Sequence, residues 1–309
     1  MATNERERLI NLKPNLEKRA KIFQHARNFF TDQGFLEVDT PIRTPIIAPE
    51  LNIYPLVSDG WFLSTSPELF MKRMLASDYV KLFQISHCFR RGERGRWHNP
   101  EFTMLEWYRT DADYLKMIDD TGNLTLSIAK MLKHDPKIKY QQQEIDLTTP
   151  WPRITVKKAF LDYAGWDPTA DSDPLRFDTD LVQKVIPNFS KQRPTVIMDY
   201  PAPMASLARL KPGNHHVAER AEVFIGGLEI ANAYSELIDP QEQAKRFASE
   251  MKQIEQEQGR HMVLPLKFLE SMKYLPECGG IALGMDRLVM LFCNAASIDE
   301  VMPFTVDTE

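Results

Sequence analysis

The sequence predicts an α+β fold built around one antiparallel sheet that is flanked by helices. Two observations lead to this prediction. Most candidate strands are sequence neighbours separated by a short turn or loop, and such neighbours pair antiparallel. Amphipathic stretches with a helical period lie between and after these strand pairs. The length of 309 residues allows one large domain or two ordinary ones, and no internal repeat or Gly/Ser-rich linker divides the chain.

The N-terminal half is predicted to begin with an amphipathic helix. Residues 15–33 place apolar side chains on one stripe, and Gly34 is positioned to end that helix. Pro67 favours the start of a second helix, because its fixed backbone angle suits the first helical turn. The predicted elements, in order, are a helix over 15–33, a strand over 35–38, an extended proline-marked segment over 40–50, a helix over 67–77, strands over 80–89 and 101–109, and a helix over 114–133.

The C-terminal half is predicted to contain a tight hairpin. Gly226 and Gly227 separate two apolar stretches and suit a two-residue turn. Asp239, Pro240 and Glu242 form a capping signature for a helix. After a proline-punctuated region over 135–215, for which no chemistry is predicted, the elements are strands over 217–225 and 228–236, a helix from 240 to about 259, a strand over 279–283 and a helix from 285 to 294.

The composition indicates a soluble, globular, cytoplasmic protein. The chain is 43% hydrophobic and 26% charged, with no apolar run near the length of a membrane span and no signal-peptide core at its start. Cys88, Cys278 and Cys293 lack metal-binding spacing, which favours buried free thiols in a reducing compartment. The net charge of −5 gives no general reason to expect nucleic-acid binding, although a local basic groove stays open as an alternative.

The segment 89–109 is the most informative stretch of the chain. A loop with four arginines precedes a strand, and one face of this strand carries Phe102, Met104, Glu106 and Tyr108. Such a strand aligns a cationic phosphate clamp, an aromatic platform and a carboxylate. This arrangement suits a site that holds a nucleoside triphosphate next to a small cationic substrate. The alternative is an edge strand with a solvated basic loop.

Two glutamates flank the predicted glycine turn. Glu222 and Glu229 fall on one face of the hairpin as diagonal neighbours, where two carboxylates repel each other unless a cation lies between them. Mg²⁺ bridging nucleotide phosphates is the natural occupant, and two solvent-facing glutamates are the alternative. Asn232, Tyr234 and Glu236 lie on the opposite face of an ideal strand. If both sets line one pocket, the strand must contain a bulge between them.

The segment 279–288 combines small residues with an arginine at a helix start. Its glycines allow the backbone to approach another group closely, and Arg287 follows from the first helical turn. Taken together, the segments resemble the class II aminoacyl-tRNA synthetases, most closely the catalytic domain of lysyl-tRNA synthetase. GFLEVDTPI resembles the first motif of that class, segment 89–109 the second and GIALGMDRL the third. STSPELFMKRM and EVFIGGLEIANAYSEL resemble lysyl-type signatures, so the similarity covers nearly the whole chain.

The first motif begins at Gly34, whereas lysyl-tRNA synthetases carry a β-barrel anticodon-binding domain before it. The chain is therefore similar to the elongation factor P–(R)-β-lysine ligase family. This resemblance implies a single catalytic domain over residues 1–309, a homodimer, activation of β-lysine by ATP as an adenylate and transfer to one lysine of elongation factor P, with no tRNA or membrane partner. The alternatives are a tRNA-aminoacylating enzyme, an aspartate-amidating enzyme and a non-catalytic regulatory paralogue.

The resemblance implies roles for the nucleotide-binding residues. Arg90 would bind the α-phosphate and the amino-acid carboxylate, and a guanidinium can stabilise both oxyanions. Arg90 and Arg287 are the expected catalytic residues, and Glu222 and Glu229 are the expected Mg²⁺ ligands. Where synthetases have the pattern FRNE, this chain has Gly92 followed by Glu93, so Glu93 is expected to contact adenine. Among the ATP-binding residues, His98 and Arg287 would contact the pyrophosphate, and Phe102 would stack on adenine. The whole expected ATP site comprises Arg90, Arg91, Gly92, Glu93, His98, Asn99, Phe102, Glu229, Ile230, Gly284 and Arg287.

The amino-acid pocket is predicted to be acidic. The acids are Glu68, Glu106 and Glu236, and the arginine expected near them is Arg90. Such a set suits a substrate with two ammonium groups and one carboxylate, which is a diamino acid. Ser66 and Glu68 are expected to hold the amine nearest the reacting end. Ala282 replaces the glycine of lysyl-tRNA synthetases, and its methyl group would crowd an α-amino group more than a β-amino group. The expected substrate site comprises Ser66, Pro67, Glu68, Glu106, Tyr108, Asn232, Tyr234, Glu236 and Ala282, with Glu106, Tyr108 and Glu236 at the distal amine.

Overall fold

A mostly antiparallel sheet dominates the computed structural model, which describes residues 4–133, 136–171 and 173–308. The strands, in chain order, are β1 (Leu36–Glu37), β2 (Arg43–Thr44), β3 (Val57–Ser58), β4 (Trp61–Leu63), β5 (Lys81–Phe89), β6 (Glu101–Thr110), β7 (Lys137–Tyr140), β8 (Gln143–Asp146), β9 (Arg153–Thr155), β10 (Thr195–Pro201), β11 (Leu210–Lys211), β12 (Asn214–Ile225), β13 (Leu228–Ser235) and β14 (Cys278–Gly284). The helices are α1 (Glu5–Asp32), α2 (Glu68–Leu75), α3 (Tyr114–Met131), α4 (Val156–Tyr163), α5 (Pro174–Asp180), α6 (Pro240–Gln258), α7 (Leu266–Ser271) and α8 (Met285–Cys293).

The order of strands in the main sheet is β1-β5-β6-β14-β13-β12-β10-β9, with β11 beside β12. All pairs between β5 and β10 are antiparallel, whereas the outermost pairs, β1 with β5 and β9 with β10, are parallel. The predicted α+β class is therefore confirmed. The order also brings β14, from the C-terminal end of the chain, between β6 and β13.

The two faces of the sheet have different chemistry. On β6, Leu105 and Trp107 are fully buried in the main hydrophobic core, which they form together with residues of α1, α3 and α8. Glu106 and Tyr108 alternate with them and therefore point to the other face. Burial of apolar surface against the three helices stabilises the sheet from one side and leaves the opposite face for polar side chains.

The first helix is longer than predicted. It begins at Glu5 instead of residue 15, with the side chain of Asn4 accepting a hydrogen bond from the Arg6 backbone N–H. The extra turns are rich in charge and contain Pro14, so they lack the apolar stripe on which the prediction depended. The other predicted helices and strands differ from the observed ones by a few residues at their ends. The second helix, for example, ends at Leu75 instead of residue 77.

The proline-punctuated region over 135–215, for which no chemistry was predicted, contains several strands and helices. It forms β7–β11, α4 and α5, and α5 continues into a π-helical turn at Leu181–Val185. A second hydrophobic core includes Phe160, Phe177 and Tyr200. This core fixes α5 and the π-helical turn beside the polar face of the sheet.

The hairpin of β12 and β13 contains the predicted turn and the predicted bulge. Ile225 pairs with Leu228 across Gly226 and Gly227, and both glycines have positive φ. Glu229 pairs with Phe224, but the next pair joins Ala231 to Val223, so Ile230 is an extra residue. Consequently Glu229 lies on the same face as Asn232 and Tyr234 instead of the opposite one.

Two other sequence-based expectations can be compared with the structure. Cys88, Cys278 and Cys293 are free thiols as predicted, although Cys293 is only partly buried. Among the helices of residues 4–133, 136–171 and 173–308, none combines the length and the apolar character that are needed to cross a lipid bilayer.

Candidate active site

A cavity of about 1010 Å³ lies over the polar face of the central sheet. Strands β6, β14, β13 and β12 form its floor, and α2, α6 and the segment 49–53 contribute side walls. Residues of α5 and of the segment 200–207 form a further wall. The cavity therefore combines residues from almost the full length of the chain.

The strand register explains why distant residues meet on the cavity floor. One row across the sheet consists of residues that pair directly with one another, namely Gln84, Glu106, Ala282, Asn232 and Glu222. The next row on the same face consists of Tyr108, Gly280, Tyr234 and Arg220. Neighbouring strands lie about 4.8 Å apart, so each row places its functional groups within reach of one small molecule.

One end of the cavity contains three carboxylates and a lysine. Glu106 accepts hydrogen bonds from the hydroxyl groups of Tyr108 (2.5 Å) and Ser66 (2.9 Å). The Lys72 ammonium forms ion pairs with Glu68 (2.5 Å) and with Glu236. Within the described part of the chain, Glu236 Oε1 has no hydrogen-bond partner. It therefore offers a free acceptor to a ligand amine.

Lys72 is a functional residue that the sequence analysis missed. Its side chain is only 1% exposed, although Glu68 and Lys72 have the i,i+4 spacing typical of exposed helical pairs. Burial alone would lower the pKa of Lys72, but the Glu236 and Glu68 carboxylates raise it further than burial lowers it. Lys72 thus stays charged. With all groups ionised, three carboxylates and one ammonium leave two negative charges for a ligand with two amines.

Burial raises the pKa values of Glu106 and Glu236 above the ordinary carboxyl range. The Glu68 carboxylate contributes to both increases, because repulsion disfavours a second negative charge nearby. Hydrogen bonds from Tyr108 and Ser66 oppose the increase at Glu106, and Lys72 opposes it at Glu236. A cationic ligand at the acidic end would favour the ionised forms of Glu106 and Glu236. These two carboxyl groups therefore favour the binding of a cation.

Arg90 lines the same cavity as the three carboxylates. It follows β5, and its guanidinium carbon lies 5.2 Å from the ring centre of Phe102. Arg90 Nη1 lies 3.5 Å from a carboxylate oxygen of Glu93, while Arg90 Nε has no hydrogen-bond partner in the region that the structure describes. Arg90 is therefore a cation beside an aromatic platform, with an unused donor.

Arg287 connects α8 with the loop that contains the arginines and with β13. Its Nη1 donates to the backbone carbonyl of Glu229 (2.9 Å), and its Nη2 donates to His98 Nε2 (2.5 Å). Burial and the adjacent Arg287 lower the pKa of His98. The lowered pKa favours the neutral ring of His98, which acts as a hydrogen-bonding group next to Arg287.

Glu222 and Glu229 form a donor set that fits Mg²⁺. Burial and the nearby Glu229 raise the pKa of Glu222, while Arg220, which donates to Glu222 at 2.7 Å, opposes this. The Glu229 side chain is 43% exposed towards the cavity. Mg²⁺ normally binds one or two carboxylates and completes its shell with phosphates and water. Among the described residues, no group of three or more His, Cys, Asp or Glu is arranged to hold a metal.

The structure brings most of the predicted site residues to this one cavity. Those that line it are Ser66, Glu68, Arg90, Glu93, His98, Asn99, Phe102, Glu106, Tyr108, Glu222, Glu229, Ile230, Asn232, Tyr234, Glu236, Ala282, Gly284 and Arg287.

Three predicted site residues, Pro67, Arg91 and Gly92, do not line the cavity. Pro67 precedes the first turn of α2, and the Arg91 backbone N–H donates to the Tyr54 carbonyl. Gly92 has φ of +83°, a conformation that glycine adopts easily, and it orients Glu93 towards Arg90. Asn99 lines the cavity, but its amide also bonds the backbone of Glu101 and Val306.

Several cavity residues were not predicted. Arg220 pairs with Tyr234 and precedes Glu222 by two positions, so the strand alternation that selected Glu222 could have found it. Glu50, Arg246 and Glu250 lie in an irregular segment and on α6, where no periodic signal distinguishes them from surface residues. Their position in the cavity depends on how these elements pack.

A family model described as tRNA synthetases class II (D, K and N) matches residues 6–308. The chain therefore belongs to this class II synthetase family, whose chemistry implies the use of ATP. It is also similar to a protein of Klebsiella pneumoniae named elongation factor P–(R)-β-lysine ligase, with 38% identity over 313 aligned positions and 95% coverage of each chain. A protein of the same name from Salmonella gallinarum is 37% identical, again with 95% coverage of both chains. The resemblance expected from the motifs is thereby confirmed.

Proposed function

We propose that the protein activates (R)-β-lysine with ATP and transfers it to a lysine side chain of elongation factor P. The similarity to ligases of that name over 95% of the chain supports this function. The observation that carries it is the cavity with one acidic end, built from Glu68, Glu106 and Glu236, next to the cation Arg90. A molecule with two amines and one carboxylate fits both ends at once.

In the activation step, Arg90 binds the substrate carboxylate and the α-phosphate of ATP. One carboxylate oxygen attacks the α-phosphorus, and the bond to pyrophosphate breaks. Arg90 stabilises the charge that develops on the α-phosphate oxygens, and Arg287 contacts the departing pyrophosphate with His98 as its hydrogen-bonding neighbour. Glu222 and Glu229 would hold Mg²⁺, which neutralises phosphate charge when bound.

The nucleotide lies along the Arg90 side of the cavity in this proposal. Phe102 stacks on adenine, and Arg287 covers the other face of the base. Glu93 accepts a hydrogen bond from the adenine amino group, since it lines the cavity and Gly92 does not. Ile230, as the extra residue of the bulge, exposes backbone next to the nucleotide.

The two amines of β-lysine bind at the acidic end. Glu68 and Ser66 hold the amine nearest the reacting carboxylate, and Glu106 and Glu236 hold the distal amine. Ala282 pairs with both Glu106 and Asn232, so its methyl group lies in the middle of the floor between them. There it crowds an α-amino group more than a β-amino group, which supports the preference for β-lysine.

We also infer that the protein acts as a homodimer and that residues 1–309 act as one catalytic domain, which the continuous main sheet supports. The first-motif segment and the start of α1 support the dimer, because apolar side chains are half exposed there. Ile10, Leu36 and Ile42 are 52%, 49% and 50% exposed, respectively. Such side chains are typical of a surface that another subunit covers.

The decisive experiment is mass spectrometry of elongation factor P after incubation with this protein, ATP and (R)-β-lysine. We expect a mass increase of one β-lysyl group on a single lysine-containing peptide. Parallel reactions with tRNA test the aminoacylating alternative. ATP–pyrophosphate exchange tests whether the protein forms an adenylate. Aminoacylated tRNA with unmodified elongation factor P would refute the proposal, and absent exchange would favour a non-catalytic paralogue.

A further inference from the structure

Glu50 is a cavity residue without an assigned role. It lies between β2 and β3, lines the cavity and is partly buried. The charged and titratable groups that face it are Glu68 on α2, Arg90 after β5, Glu250 on α6, Arg220 on β12 and Tyr234 on β13. Among the described residues, the Glu50 carboxylate has no hydrogen-bond or ion-pair partner, since only its backbone carbonyl accepts a bond.

The neighbours of Glu50 locate it at the reaction centre of the proposed function. Arg90 marks the position of the α-phosphate and the acyl group, while Glu68 marks the amine nearest to that group. Glu50 lines the same cavity as Arg90 and Glu68, and the charges of both act on its carboxyl group. In the proposed function, Glu50 is therefore near the bond between the acyl group and the phosphate. The two amines of β-lysine are already matched by Glu68, Glu106 and Glu236, so Glu50 is an additional carboxylate.

The transfer step requires a base near this position. A lysine side chain has an ordinary pKa of about 10.4, so the acceptor enters as an ammonium ion that cannot attack a carbonyl group. A carboxylate attracts this ion, and a carboxylate with a raised pKa can also remove its proton. Burial raises the pKa of Glu50 to about 7; Glu68 and Glu250 add to this increase, whereas Arg90 and Arg220 oppose it.

We propose that Glu50 binds the acceptor lysine ammonium and takes one proton from it in the transfer step, an inference that rests on the proposed function. The freed amine attacks the carbonyl carbon of the β-lysyl adenylate and forms the new N–C bond. The bond between this carbon and the phosphate oxygen then breaks, and AMP leaves with the bonding electrons. The second proton of the attacking nitrogen passes to water as the amide forms.

The test separates the two half-reactions in the Glu50→Gln variant. Single-turnover transfer from preformed adenylate to elongation factor P should slow by about 10²–10⁴-fold, the usual contribution of a general base. Pyrophosphate exchange should keep its kcat and its KM for β-lysine. The wild-type transfer rate should rise with pH up to about 7 and then level off, because the base acts when ionised. In Glu50→Gln the rate should instead keep rising above pH 7, because attack then depends on the free-amine fraction of the acceptor lysine, whose ordinary pKa is about 10.4.

Two controls distinguish a base from a structural residue. Hydroxylamine is largely unprotonated at neutral pH and needs no base, so it should discharge the adenylate equally fast in wild type and Glu50→Gln. Glu50→Asp should recover part of the transfer rate. Glu255→Gln, at a 65% exposed carboxylate on α6, should match wild type in both half-reactions.

The contradicting outcomes are specific. Unchanged transfer in Glu50→Gln, equally slowed hydroxylamine discharge or a raised KM for β-lysine in exchange would each overturn the role of Glu50. A wild-type protein that exchanges pyrophosphate but leaves elongation factor P unmodified would overturn the proposed function together with this inference. Transfer by Glu50→Gln at the wild-type rate would overturn this inference but not the proposed function.

Discussion

Lys72 shows how one buried side chain changes the chemistry of the acidic end. Its ammonium lies between Glu68 and Glu236 and is shielded from solvent. A buried ion pair adds little net stability when both partners are present, but the loss of one partner leaves an uncompensated charge. Lys72 therefore orients two of the three carboxylates while the third, Glu106, depends on Tyr108 and Ser66.

We predict that Lys72→Met destabilises the protein by about 3–5 kcal/mol at neutral pH, because two buried carboxylates lose their cation. Urea unfolding would measure this change. Adding Glu68→Gln should recover part of the loss, because it removes a carboxylate that has lost its cation. Lys158→Met serves as the matched control, since Lys158 forms an exposed i,i+4 pair with Asp162, and it should cost at most about 0.5 kcal/mol. Equal stability of Lys72→Met and wild type would contradict the prediction.

The raised pKa values of Glu106 and Glu236 predict a pH-dependent affinity for β-lysine. Below the raised values these carboxyls hold protons, and a diammonium ligand favours their ionised forms. Binding should therefore release protons at pH 7 and strengthen as the pH rises towards 8. Calorimetry in two buffers with different ionisation enthalpies would measure the release. Glu236→Gln should reduce it, and a wild-type value of zero would be incompatible with this electrostatic description.

Ala282 is predicted to control the choice between the isomers of lysine. Ala282→Gly removes the methyl group between Glu106 and Asn232 and should improve α-lysine activation relative to β-lysine. One methyl group contributes about 1–3 kcal/mol of discrimination, so the change should bias the ratio without abolishing either activity. Pyrophosphate exchange with each isomer would measure the ratio of kcat/KM values, and an unchanged ratio would exclude this role.

At the scale of elements, β13 and β14 make the cavity floor continuous. The extra residue Ile230 lets Glu229 share a face with Asn232, so the proposed metal-binding and amino-acid-binding parts use one strand. On β14, the backbone at Gly280 runs directly under Tyr108 and Glu236. A side chain at this position would collide with both of them.

We predict that Gly280→Ala disrupts the acidic end selectively. The added methyl group must displace Glu236 or Tyr108, and such overpacking costs about 1–3 kcal/mol. The KM for β-lysine should rise, whereas the KM for ATP should change little, because the arginines lie on other elements. Gly95→Ala is the matched control, since a methyl group there meets no atom within 4 Å. Equal effects on both substrates would argue against a local collision.

In the whole molecule, one face of the main sheet packs against the core helices and the other face forms the cavity floor. The core helices are α1, α3 and α8, and the face that packs on them is the apolar one. The exposed apolar side chains Ile10, Leu36 and Ile42 belong to α1 and the segment after it, and none of them lines the cavity. In the proposed dimer, a partner subunit would cover these side chains instead of the cavity lining.

We predict a dimer in solution that depends on this surface. Light scattering coupled to gel filtration should give twice the chain mass for wild type and the single-chain mass for the double variant Leu36→Glu with Ile42→Glu, because burial of two charges disfavours association. Leu175→Glu changes an 80% exposed leucine on α5 and should leave the dimer intact. A monomeric wild type would rule out the proposed assembly.

Local sequence patterns were sufficient to predict the α+β class and most element positions, and most of the predicted site residues line the cavity. Strand alternation and turn chemistry are local, so Glu106 and Tyr108 could be assigned to one face and the bulge near Ile230 could be anticipated. The acidic character of the end with Glu68, Glu106 and Glu236 follows from residue types alone, and so does the basic character of the loop that contains the arginines.

Long-range packing determines which of these residues meet and which charges are buried. The rows across the floor depend on β14 lying between β6 and β13, and strand order is not encoded in any single segment. Glu68 and Lys72 have the same spacing whether their helix face is exposed or buried, so packing alone identified Lys72 as an internal cation. Glu50 lies in an irregular segment without periodicity, and its proximity to Arg90 and Glu68 arises from the fold.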